Sequence, residues 1–373
     1  MRFTQLSVVR HRVHVGEPLP FNVFNNDQTL LLAKGQVVGT PDQMQALFDR
    51  GTLVDLAEVH RTPEAIKQAP PQMLATLWQD NISRVHQTLT QVEPETFRAA
   101  LDEAAKPVEQ LIDRDPDLAI LQVLRQEGNS NTQYGLNHAI HTAIVCRLVA
   151  KRLQWSDDES NRAFKAALTM NLSMFELQGI LANHPGRPNE EQKRLIQSHP
   201  VRSREMLIQA GVSDPVWLTA VQQHHETPDR SGYPLGIGDP TELASLLHRA
   251  DVYAAKLSPR ANRDPMPADR AGREIFMRDP GNPITAALVK EFGVYPPGCY
   301  VALASNEVGV VIKRGPTVMA PVVSVLVNRQ GEALLDPLRR DTSNPAHAVT
   351  GVVPARSIKI RLSPEKLAAL ALA

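Results

Sequence analysis

The sequence predicts a mainly α protein: a helical bundle flanked by a small N-terminal α+β module and a small β-rich C-terminal module. Three observations carry that reading. Residues 128–293 repeat their apolar positions at three- and four-residue spacing between Pro- and Gly-containing breaks, the period of amphipathic helices. After Tyr295-Pro296-Pro297-Gly298 the period shortens to two, the mark of strands. The first 62 residues interleave short β-like runs with one helix-like run. A chain of 373 residues exceeds one small core. Four segments are expected: 1–62 as the N-terminal module, 63–127 as a helical connector, 128–293 as the helical domain and 294–373 as the β-rich module.

In the first segment VHVGEPLPFNVFN and TLLLAKGQVV read as β-like, and PDQMQALFDRG reads as a helix closed by Gly51. The connector contains PEAIKQAPPQMLATLWQDNISRVHQTL and PETFRAALDEAAKPVEQLIDR, packing or dimer-forming helices without chemistry. Within SDDESNRAFKAALTMNLSMFEL, Phe164, Ala167, Leu168, Leu172 and Phe175 form one apolar helix face, started by Ser156 or Asp157 as cap. EEQKRLIQSHPVRSREML is helix-like and carries His199. LASLLHRADVYAAKL is a helix with apolar face Leu243, Leu246, Leu247, Ala250 and Ala254, and Asp251 stands beside that face. CYVALAS, EVGVVIKR and VVSVLVNRQGEALL read as strands.

Composition excludes several classes. Forty basic residues balance forty acidic ones, so the basic excess of a nucleic-acid-coating protein is missing and no nucleic-acid partner is expected. No apolar run approaches the roughly 18–20 residues of a membrane span. The opening MRFTQLSVVRHRVHVG lacks the apolar block of a secretory leader. Two cysteines, Cys146 and Cys299, make no disulfide framework. A cytoplasmic protein is expected.

The histidines are unevenly placed. Seven of the twelve (His138, His141, His184, His199, His224, His225 and His248) fall within 111 of the 373 residues, where even scatter would put three or four. Neutral imidazole is the commonest metal ligand. The densest signal is His224-His225-Glu226-Thr227-Pro228-Asp229-Arg230-Ser231-Gly232-Tyr233-Pro234. Adjacent histidines cannot both face one ion from a helix interior, but they can at a helix end running into a loop, and Ser231-Gly232-Tyr233-Pro234 supplies that loop. A lone His or Asp on a helix is ordinarily solvated or hydrogen-bonded. Together with this string, His199 and Asp251 point to a cation site.

This chain resembles the HD-GYP domains, metal-dependent bacterial phosphodiesterases of cyclic di-GMP, over roughly residues 117–300. HHETPDRSGYPLGIG at 224–238, QSHP at 197–200, HRADVYAAKLSPRANR at 248–263 and the YPPG that opens the β-rich tail carry the resemblance. It implies an HD-GYP-like bundle and two or three metal ions, usually iron or manganese. It places metal ligands at His138, His199, His224, His225 and Asp251, with His141 one turn from His138 as its alternative. It places ligand contacts at Arg260, Arg263 and Tyr233, where a planar guanidinium can meet phosphate bidentately or stack on guanine.

The departures matter as much. Where the family has His-Asp-Ile-Gly-Lys, this chain has Met170-Asn171-Leu172-Ser173-Met174. The metal-binding His is Met170, the bridging Asp is Asn171 and the Lys is Met174. Asn cannot bridge two cations as an anion, and Met is a weak ligand for iron or manganese. A Glu that some members carry is Tyr134, and Arg230 stands where the family usually has Gly. The resemblance therefore implies a degenerate site holding no metal or a single divalent ion, iron or manganese, with no catalytic residue assigned.

Three readings stay open. The first, which the substitutions favour, is a catalytically inactive regulator in cyclic di-GMP signalling, binding the nucleotide or a protein. The second is an atypical single-metal phosphodiesterase forming pGpG or GMP. The third is a scaffold that binds neither metal nor nucleotide and docks a signalling partner such as a diguanylate cyclase. Homodimer formation is compatible with all three.

Overall fold

A computed structural model describes residues 3–55, 58, 63–94, 96–124, 131–261, 263–358, 360, 362 and 364–372. The expected boundaries at 62/63 and 127/128 involve residues outside that description. The chain forms two compact units, Met1–Asp80 and Asn81–Ala373.

The first unit is built on a four-stranded antiparallel sheet of β1 (Phe3–Gln5), β2 (Val23–Phe24), β3 (Leu30–Leu32) and β4 (Leu53–Asp55), in the order β1-β4-β2-β3. Helix α1 (Pro41–Asp49) begins where Thr40 accepts the Gln43 backbone N–H and ends before Gly51, whose φ is +63°. Leu6, Phe21, Val23, Leu47 and Val54 form its core. A short helix α2 (Pro63–Gln68) follows, and α3 (Leu74–Thr90) carries the chain into the second unit.

The second unit opens with α4 (Phe97–Arg114) and α5 (Pro116–Leu124), then α6 (Asn131–Arg152), α7 (Asp157–Thr169), α8 (Phe175–Asn183), α9 (Glu190–Gln209), α10 (Pro215–Gln223), α11 (Glu242–Leu257), α12 (Ala268–Arg278) and α13 (Pro283–Phe292). Helix α6 is the axis. Every residue from His138 to Ala150 is buried, so it has no solvent stripe, as expected of a helix enclosed by others. Arg147 lies in this wall and is compensated by a two-bond pair with Asp113, at 3.0 and 2.7 Å, and by Asn161 at 2.7 Å. Helix α8 crosses α6 at backbone contact. A Cβ on Gly135 would stand 2.4 Å from the Phe175 carbonyl oxygen, and one on Gly179 would stand 2.0 Å from that of Asn131.

The expected single helix across 156–177 is two. Helix α7 starts on a Ser156–Glu159 capping box and ends at Thr169. Asn171 leaves helical geometry at φ −110°, ψ 17°, a short 3-10 turn spans Leu172–Met174, and α8 restarts at Phe175. Hydroxyls hold this break. Ser203 Oγ accepts the Ser173 N–H at 3.2 Å, and Ser173 Oγ donates to the His199 carbonyl at 3.1 Å. Side-chain oxygens that compete for backbone groups interrupt helices in this way.

Strands β5 (Tyr300–Leu303), β6 (Val308–Lys313), β7 (Val322–Val327), β8 (Ala333–Asp341) and β9 (Val349–Val352) form an antiparallel sheet ordered β8-β7-β6-β5-β9. The β-rich tail ends on a helix that the sequence reading did not single out, α14 (Pro364–Leu372). Its Leu367 packs with Leu121 of α5 and with Val310, Ile312 and Leu326 of the sheet. The fold is mainly α with two small antiparallel sheets. Among the described residues no helix is long and apolar enough to cross a membrane.

Candidate metal and ligand site

His199 comes from mid-α9. His224 caps the C-terminus of α10, so its neighbour His225 already belongs to the loop and turns back towards the same point. One donor nitrogen from each of the three lies within 4.8 Å of the others. His199 donates Nδ1–H to the Ile196 carbonyl at 2.5 Å, and His224 donates Nδ1–H to the Val221 carbonyl at 2.7 Å. Both tautomers are thereby fixed. Their Nε2 atoms, 3.1 Å apart, then carry lone pairs that face each other in a buried setting.

A proton does not relieve that repulsion near neutrality. Burial, then the adjacent His224, pushes His199 down to about 3, and burial pushes His224 down to about 4. His225 is lowered well below its ordinary value, by burial first and then by His224. Two nitrogens bound to one ion at ~2 Å lie about 3 Å apart, so the set fits a cation. The carbonyl-anchored rings provide the outer support such ligands ordinarily have.

His138 and Asp251, expected as ligands, sit on the neighbouring helices α6 and α11 and are paired with each other, Nε2 to Oδ1 at 2.7 Å. Burial works to raise the Asp251 carboxyl. The hydrogen bond and charge of His138, with His225 and His224 nearby, instead hold it below the carboxylate range. His138 Nδ1 has no partner and is buried. His141, the alternative, is also buried; burial, then His138 and His86, pushes it to about 3.

A cavity of about 170 Å³ adjoins the cluster, and its wall includes His138, Asn171, Met174, His199, His225, Tyr233, Asp251 and Arg260. Asn171 Oδ1 is buried and unpartnered. Met170, which stands where the resemblance puts a metal-binding His, is fully buried at the end of α7 and is not on this wall. Of the two arginines, Arg260 reaches the wall, whereas Arg263 donates to the Ala255 carbonyl at 2.8 Å and does not. Tyr233 stacks on His225 with centroids 4.6 Å apart and planes 21° apart. It also lines a larger open groove of about 970 Å³ with Arg194, Gln197, Ser198 and Pro234.

Glu226, which sequence reasoning passed over, holds the loop. Buried behind the histidines, it accepts the N–H groups of Leu235 at 2.6 Å and Ile237 at 2.9 Å. Asp229 accepts from Thr227 and Ser231 and is thereby lowered to about 2. Gly232 is required: its Cβ would lie 2.4 Å from the His225 carbonyl oxygen. Arg230 adopts φ +62°, in the left-handed region where the family's Gly would be at ease. Both cysteines are free thiols and buried. Burial raises both thiols, Cys299 to about 12.

The HD domain family profile matches residues 119–275. Among curated proteins the chain is similar to cyclic di-GMP phosphodiesterase PA4108 of Pseudomonas aeruginosa, 28% identical over 226 residues, 57% of this chain and 52% of that protein. It is similar to 3'3'-cGAMP-specific phosphodiesterase 3 of Vibrio cholerae, 27% identical over 145 residues, 38% of this chain and 31% of that one. It is similar to the cyclic di-GMP phosphodiesterase response regulator RpfG of Xanthomonas campestris pv. campestris, 31% identical over 136 residues, 34% of each. The chain spans about half or less of these relatives' lengths. A solved structure, Bd1817, a HDG"Y"P protein from Bdellovibrio bacteriovorus, is 15% identical with a TM-score of 0.48, covering 77% of this chain and 97% of that one. Since the HD match contains the helices that bear these histidines, and Gly232-Tyr233-Pro234 follows His224 and His225, residues 119–275 are an HD domain that carries the HD-GYP string.

Proposed function

We propose that the chain is a cyclic di-GMP receptor that binds the dinucleotide without cleaving it and regulates through that binding. The observation that carries this reading is Asn171, a neutral amide on the cavity wall with its oxygen unpartnered, and Met174 beside it. A two-metal centre needs an anionic bridge at such a place, both to neutralise two cations and to fix their spacing. An amide does neither.

A bound divalent ion would supply an acidic water and one positive charge at His199, His224 and His225. Arg260 adds a fixed cation on the same wall, placed to meet a phosphate oxygen. A second cation against the scissile phosphate is missing, and losing one such contact costs on the order of 3–4 kcal/mol, a hundred- to thousand-fold in rate. The cavity of about 170 Å³ accepts a phosphate but not two guanosines. These would lie in the groove of about 970 Å³ that Tyr233 shares with it.

The deciding experiment is calorimetric titration of the full chain with cyclic di-GMP and with 3'3'-cGAMP, followed by chromatography of the incubated nucleotide with added manganese, iron or zinc. Binding without loss of nucleotide is the expected result. A second reading, a single-metal phosphodiesterase, is favoured by the three donors within 4.8 Å and by the Asp251 carboxylate on the same cavity. Robust turnover by the unmodified chain, abolished by His225→Ala, would put that reading in its place. Absence of both binding and turnover would leave the scaffold.

A further inference from the structure

We infer that His199, His224 and His225 form a mononuclear zinc site with one coordination position open to the cavity, rather than a site for iron or manganese. The inference concerns the same site as the proposed receptor and rests on that reading for the phosphate that would take the open position.

The donor set decides the metal. Each of the three ligands is a neutral imidazole, and the group holding them within 4.8 Å of one another contains no carboxylate oxygen. The nearby carboxylate, Asp251, has Oδ1 committed to His138 at 2.7 Å. The wall positions where an anionic bridge and a lysine would stand are Asn171 and Met174. Manganese and magnesium favour carboxylate and water oxygens, whereas all-nitrogen sets move affinity towards the later divalent ions. Copper(II) and nickel(II) favour square or tetragonal geometry. Three imidazoles with a fourth position left to solvent or substrate is an arrangement that zinc adopts.

The surroundings favour low coordination. Tyr233 stacks on one face of His225, and the cavity beyond holds about 170 Å³. The Nδ1–H bonds to the carbonyls of Ile196 and Val221 fix two rings before any ion arrives, so little ordering remains to be done on binding. Asp251 lines the same cavity as His199 and His225, with its Oδ1 held by His138, so its negative charge lies beside the site.

The test uses the full natural chain, stripped with chelator and dialysed against equal zinc, iron(II) and manganese. Elemental analysis is expected to give about one zinc per chain and little of the others, with zinc bound at least ~100-fold more tightly than manganese. Cobalt(II) added to the stripped chain should give the intense visible bands of a four-coordinate ion, displaced by zinc. His199→Ala and His225→Ala should lose the zinc; the cobalt spectrum of the natural chain keeps the test independent of their folding. Two iron or manganese ions per chain, a weak six-coordinate cobalt spectrum, or no retained metal would each overturn the zinc site. Cyclic di-GMP titration of the same samples separates the two ideas. Nucleotide binding by a chain that retains no zinc after dialysis keeps the receptor while sinking the zinc, and zinc with turnover keeps the zinc while sinking the receptor.

Discussion

His248 of α11 donates its Nδ1–H to the backbone carbonyl of His224, 2.9 Å away. The end of α10 is thereby tied to the next helix across the loop that carries Gly232-Tyr233-Pro234, at the residue that opens the His-His pair. His248→Ala removes the donor and leaves a partly buried carbonyl unpaired, at a cost of about 1–3 kcal/mol. We expect a lower unfolding midpoint and a metal affinity weakened about 10-fold, as for other supports of a ligand. Calorimetry on the variant checks both. Equal affinity in the two proteins would remove His248 from this role.

Stability of the metal-free chain should fall with acid. His141 and His199 are pushed down to about 3 and His224 to about 4, burial being the largest cause in each. In the unfolded chain each titrates near the usual 6.5, so below that value the unfolded state gains protons that the folded state refuses. Their contribution is full above pH 6.5 and fades below it, down to about 4 for His224 and about 3 for His141 and His199, by roughly 1.4 kcal/mol per unit for each histidine. The lowered Asp251 acts in a more acidic window and does not mask this. Urea unfolding in chelator from pH 8 to 5 should show a steep drop below 6.5. A flat profile would mean that the histidines are not held neutral.

Glu226→Gln should loosen the loop while preserving its size. The carboxylate accepts two N–H groups, from Leu235 and Ile237, and charged acceptors are worth about 1.5–3 kcal/mol each. We expect faster proteolysis within 228–238 and weaker cyclic di-GMP binding, with the rest of the bundle intact by circular dichroism. Unchanged cleavage would show that the loop is held by other contacts.

Met170→His with Asn171→Asp should raise the metal bound per chain, and Met174→Lys added to them should bring measurable nucleotide turnover. Met170 does not line the cavity whereas Asn171 does, so the double change exceeds Asn171→Asp alone only if the break between α7 and α8 turns residue 170 inwards. Metal analysis of both variants reports that turn: no gain of the double variant over Asn171→Asp would place position 170 permanently in the core.

Much of this site was legible because its chemistry is local. The pair His224-His225 ends a helix, Tyr233 follows within ten residues, and the substitutions Asn171 and Met174 stand in an otherwise familiar order. What the sequence hid depends on packing between distant elements. An unbroken apolar period concealed the break at Asn171, since the hydroxyl of Ser203 that stabilises it lies 30 residues away. The pairing of His138 with Asp251 spans 113 residues and turns two expected ligands towards each other. Arg260 and Arg263 look alike in sequence, yet only one reaches the cavity wall. The helix α14 was readable, with Pro364 at its start and PEKLAALAL rich in helix formers, but the sequence reading named no element after VVSVLVNRQGEALL.

The bare α-carbons of Gly135 and Gly179 have an effect beyond letting two helices touch. Gln178 and Leu181, on the cavity wall, stand within two residues of Gly179. Main-chain atoms already meet at the crossing, so that side of the cavity cannot move inwards, and a single added methyl group would drive it outwards. The gauge of the chamber is therefore set by two residues that do not line it. Ligand size could be retuned there without altering any group that touches the ligand.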